Sequence, residues 1–87
     1  MNHRHRKLLH AVFSHPINAN LDMIEVEHLL RELGAEIEHK SGSRVGVTLK
    51  GHTVAFAVAD HSIPKDEVVQ IRKFLETCGI KAEDYPV

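Results

Sequence analysis

The chain has 87 residues, 43% apolar and 26% charged, which suits one compact domain with a thin core and not a disordered chain. Lys plus Arg is 11 and Asp plus Glu is 12, a formal net charge of -1, so total charge makes no argument for nucleic acid. No apolar run reaches the ~20 residues of a membrane helix, and a single cysteine, Cys78, leaves no internal disulfide. The basic first residues lead into a short apolar stretch broken by His10, a poor secretory signal, so a cytoplasmic protein is expected.

A first helix is expected over 4–13, because Leu8, Leu9, Val12 and Phe13 fall on one stripe. Ser14-His15-Pro16 ends it, since the residue before proline is pushed out of the helical region. A short connection leads to a second helix over 23–33. Asp22 is its N-cap, Glu25 completes a capping box, and Met23, Val26, Leu29, Leu30 and Leu33 form its buried stripe. Gly34 is the left-handed stop.

The period then changes to two, giving strands over 35–40, 44–50 and 53–58. Ser41-Gly42-Ser43 makes the first turn, and Gly51-His52 is expected at the centre of a type II′ hairpin. Pro64 opens a last helix over 64–78, with Val68, Ile71, Leu75 and Cys78 inside and Phe74 flanking, closed by Gly79-Ile80. The fold class is therefore α+β: a three-stranded antiparallel sheet with helices packed on one face, in the order α-α-β-β-β-α. A single domain over 1–87 is expected, with an additional helix and connection over 4–21, a core over 22–80 and a loose tail over 81–87.

Eight histidines raise the question of a metal, yet His3-Arg4-His5 is the only close pair, and neither HExxH nor Cys-x-x-Cys is present. No metal and no other cofactor is expected. Cys78 falls on a buried stripe, so with Phe56 it is assigned to the core. Charge is unevenly distributed. Six acidic residues and one basic residue, Arg31, lie between Asp22 and Glu38, whereas 39–59 has no acidic residue but has His39, Lys40, Arg44, Lys50 and His52. Strand alternation places Arg44, Thr48, Lys50 and Thr53 on the face away from the helices, a basic stripe suited to phosphate or to an anionic protein surface. An ordinary solvated sheet face accounts for the same charges.

His28-Leu29-Leu30-Arg31-Glu32-Leu33-Gly34-Ala35, Ser41-Gly42-Ser43-Arg44, Val58-Ala59-Asp60-His61 and Phe74-Leu75-Glu76-Thr77-Cys78-Gly79-Ile80 follow one another in a familiar order. Over 23–80 the chain resembles the HicA-type toxin family of bacterial toxin–antitoxin systems. The resemblance implies a double-stranded-RNA-binding-domain-like fold, mRNA-cleaving ribonuclease activity and neutralisation by an HicB-type antitoxin protein. Arg44 stands where the family's Gly-Ser motif is usually followed by its catalytic histidine, and Ala59-Asp60 precedes the later histidine, His61, where the family often has proline.

Metal-independent cleavage needs a base for the 2′-hydroxyl and a donor for the phosphate. Arginine remains protonated and suits the second task, histidine the first. The expected catalytic residues are therefore His61 as base and Arg44 as phosphate clamp, with His39 or His52 as alternative bases if the loops bring them close. Lys40, Ser43, Arg44, Lys50 and His52 form the expected RNA-binding set. The alternative is a non-catalytic RNA-binding or protein-interaction module that lacks the family's histidine.

Overall fold

A computed structural model of the protein describes residues 1–14, 20–40 and 42–87. The expected helix stop at 15–16, the connection from 17 to 19 and residue 41 of the first turn lie outside them. Helix α1 is His3–Val12, capped by Asn2, whose side chain accepts from the His5 amide. Strand β1 is Leu21–Asp22 and runs directly into α2, Met23–Glu32, where Asp22 Oδ1 accepts from the Ile24 amide at 2.8 Å. Glu25 does not complete the expected capping box; its carboxylate is paired at 2.7 Å with Arg4 from α1.

Strands β2 (Glu36–His39), β3 (Arg44–Leu49) and β4 (His52–Ala57) form the antiparallel sheet in the order β2-β3-β4. Strand β5, Ser62–Ile63, pairs with β1 in a separate two-stranded ribbon. Helix α3, Lys65–Thr77, follows Pro64, which is its N-cap and not part of its first turn. Val45, Val47, Leu49 and Phe56 from the sheet meet Met23, Val26, Leu29 and Leu30 of α2 and Val68, Ile71, Phe74 and Leu75 of α3. Leu9 and Val12 of α1 complete this core. Each fully buried side chain of this kind contributes roughly 1.5–3 kcal/mol. The molecule is thus the expected α+β domain of three helices and a three-stranded antiparallel sheet. Among the described residues, no helix is long and apolar enough to cross a membrane.

Both sheet-packed helices end in the same way. Ala35 N donates to Leu30 O and Gly34 N to Arg31 O, while Ile80 N donates to Leu75 O and Gly79 N to Glu76 O. These are Schellman motifs, with Gly34 and Gly79 at positive φ and an apolar residue following each glycine into the core.

Three further expectations change. The β3–β4 hairpin pairs Leu49 with His52, so Lys50 and Gly51 are its central residues, with φ of 52° and 82°. Positive φ at both positions makes it type I′ instead of type II′, removes Lys50 from the strand and puts His52 at the start of β4. The outer sheet face is also less basic than expected. Register places Glu36 and Glu38 beside Thr48 and Gly46, so cations are confined to the end at Lys40 and Arg44. Finally, the tail is docked: Ala82–Asp84 form a 3-10 turn, His10 Nε2 donates to Tyr85 O at 2.9 Å, and Tyr85 packs on the core.

Candidate functional site

Three segments converge at the end of the sheet where β3 begins. The Lys40 amide donates to Arg44 O at 3.0 Å, closing the β2–β3 loop, and the Val58 amide donates to Ser43 O at 2.8 Å, tying the exit of β4 to that loop. The chain then reverses over Ala59–Ser62, whose end residues exchange both amide hydrogen bonds at 2.8 Å. Asp60 and His61 at the centre have φ of 50° and 64°, another two-residue I′ turn, here built without glycine. The carbonyl of His61 accepts from the Met23 amide at 2.8 Å, which joins the turn to the N-terminus of α2.

A cavity of about 360 Å³ opens between these segments. Its apolar floor includes Met23, Val45 and Val58; its polar wall carries His39, Lys40, Ser43, Arg44, Asp60 and His61. Among the described residues, the Lys40, Arg44 and His61 side chains have no hydrogen-bond or ion-pair partner, and all three residues are exposed. His39 is differently placed. Its Nε2 lies 2.7 Å from Oε1 of Glu27 on α2, and Arg31 Nε approaches the other oxygen of Glu27 at 3.8 Å. Two free cations beside two imidazoles can hold a phosphate and exchange protons with groups attached to it.

The Lys40 stem runs from the rim of the cavity across the outer face of the sheet. A Cβ on Gly46 would come within 3.0 Å of Lys40 Cε, so the bare glycine lets the lysine stem lie flat on the strand. The stem covers Gly46, which is buried although it belongs to the outer face.

Of the sequence-derived set, the cavity brings together His61, Arg44, Lys40 and Ser43. Lys50 and His52 are at the opposite end of β3, roughly 17 Å away at about 3.3 Å per residue, and take no part in this cavity. His39 joins the site, as one alternative reading of the base required, and His52 does not. Asp60 was not anticipated; the signal available was its turn propensity beside a histidine, both of which tolerate positive φ.

A second hollow of about 370 Å³ lies beside Phe13, Ile80 and Ala82, with Glu76, Lys81 and Glu83 on its wall. Its two carboxylates against one cation suit an anionic ligand poorly. Among the described residues, no three His, Cys, Asp or Glu groups gather as a metal site. Cys78 is buried and donates from Sγ to Leu49 O at 3.3 Å; burial pushes its thiol up, so it is a core group. Comparison with known protein families, curated proteins and solved structures gives no match.

Proposed function

We propose that this protein is an HicA-like ribonuclease toxin, which binds mRNA at the Arg44–His61 cavity, cleaves it without a metal and is neutralised by an HicB-type antitoxin protein. The observation that carries the reading is the shared cavity: Arg44 and His61, 17 positions apart, open onto one space with Lys40 and Ser43. Arg44 and Lys40 hold the scissile phosphate and spread its developing charge. His61 takes the proton of the adjacent 2′-hydroxyl, and the freed oxygen attacks phosphorus. Asp60 and His61 are the central residues of the type I′ turn at the rim of the cavity, which presents the imidazole to it.

Expression in a bacterial host tests the proposal. Wild type is expected to arrest growth with loss of mRNA, and His61→Ala to accumulate harmlessly. Normal growth with intact message, in cells holding folded wild-type protein, would overturn it. The second reading, RNA binding without cleavage, is favoured by Arg44 itself, which occupies the family's histidine position and cannot act as a base. Binding of RNA by wild type with no fragments formed would select it.

A further inference from the structure

We propose that His39, oriented by Glu27, is a second acid–base group of the cavity and donates the proton to the leaving oxygen of the cleaved RNA. The inference rests on the ribonuclease reading and assigns the half of the reaction that His61 and Arg44 leave unserved. When the 2′-oxygen bonds to phosphorus, the bond from phosphorus to the 5′-oxygen breaks. That oxygen departs as an alkoxide unless a proton reaches it. The 2′-hydroxyl proton goes to His61, and the proton for the 5′-oxygen comes from His39 in its imidazolium form. The products are a 2′,3′-cyclic phosphate and a 5′-hydroxyl, and both histidines exchange their protons with water afterwards.

Geometry singles out His39. It ends β2, opposite Val45 and one residue from Lys40, so it enters the cavity from a different segment than His61 does. Among the described residues its ring is held at one nitrogen: Nε2–H donates to Glu27 Oε1, leaving Nδ1 as the nitrogen for substrate. Glu27 is three-quarters covered, with its side chain 22% exposed, whereas that of His39 is 61% exposed and accessible to a ligand. A fixed carboxylate behind an exposed imidazole is the arrangement that orients a proton-transfer group. His28 and His52 lie outside the cavity. Glu27 touches no substrate in this scheme and is a positioning residue.

A modified substrate separates this role from a merely structural one. An RNA whose scissile 5′-oxygen is replaced by sulfur has a leaving group that departs without protonation. On the ordinary substrate, His39→Ala and His39→Gln are expected to lose ~10²–10⁴-fold in rate. On the sulfur substrate both should cleave within a few-fold of wild type, as should Glu27→Ala. His61→Ala should stay slow on both substrates. Equal loss on the two substrates for His39→Gln, or wild-type rates on the ordinary one, would overturn the role of His39 alone. Wild type leaving both substrates intact would overturn the ribonuclease reading and this role together.

Discussion

The carbonyl of His61 receives the Met23 amide at 2.8 Å, so the turn that presents the histidine also caps the helix beside it. The ribbon between β1 and β5 adds the pairs Leu21 with Ile63 and Asp22 with Ser62. His61 is therefore fixed by backbone bonds that its side chain does not make. This separates fold from function at a single position. His61→Gly should melt at or above the wild-type temperature, because glycine adopts positive φ freely, yet should lose cleavage. His61→Val should lose roughly 1–2 kcal/mol, since a branched side chain is strained there. Thermal unfolding of the two variants checks this; equal stabilities would show that the left-handed turn carries no strain.

RNA binding should depend on one end of the sheet. Arg44→Ala and Lys40→Ala are each expected to weaken binding across sequences and to reduce the salt slope by about one. Lys50→Ala, at the far hairpin, should change the slope by much less. Titration of a fluorescent RNA at several salt concentrations measures all three. A loss for Lys50→Ala equal to that for Arg44→Ala would move the interface out of the cavity and onto the sheet face.

Long periodic segments made most of the fold legible in the sequence. The α2 stripe from Met23 to Leu30, the alternation through Val45, Val47 and Leu49, and the glycine stops at Gly34 and Gly79 all specify their elements locally. Two-residue strands such as β1 and β5 have no period to read. The hairpin failed for another reason: Gly51 fits either central position of a tight turn, and only pairing Leu49 with His52 decides which. That one-residue shift removed Lys50 from the strand, while Glu36 and Glu38 divide the outer face. At the site, Arg44 and His61 were legible as residue types. The placement of His39 was not, because its pairing with Glu27 depends on how α2 lies across the end of β2.

Cys78 offers a check on the core. Its thiol fills space between α3 and the sheet and donates to Leu49 O. Cys78→Ala should cost about 1–2 kcal/mol in urea unfolding through the lost packing and hydrogen bond. Cleavage per folded molecule should be unchanged. Lost activity at wild-type stability would instead give the thiol a chemical role.

Acid dependence is expected where α1 meets α2. A hydrogen bond from the His5 ring holds the Glu32 carboxyl below its ordinary range; burial opposes it, and the charges of His5 and the N-terminus add smaller lowering contributions. A carboxylate lowered on folding stabilises the protein above its unfolded value, and the contribution is lost as pH falls through the folded one. The stability difference between wild type and Glu32→Gln should therefore be present at about pH 6 and close through the acidic glutamate range. A difference that stays constant on acidification would show that His5 does not hold the ionised form.

The most direct measurement is cleavage of an end-labelled RNA by the purified protein in EDTA, with analysis of the fragment ends. The side-chain mechanism requires fragments bearing 2′,3′-cyclic phosphate and 5′-hydroxyl ends, formed by wild type and slowed ~10²–10⁴-fold in His61→Ala with RNA affinity retained. RNA left intact by folded wild type, or cut equally fast by His61→Ala, would contradict the assignment of the cavity.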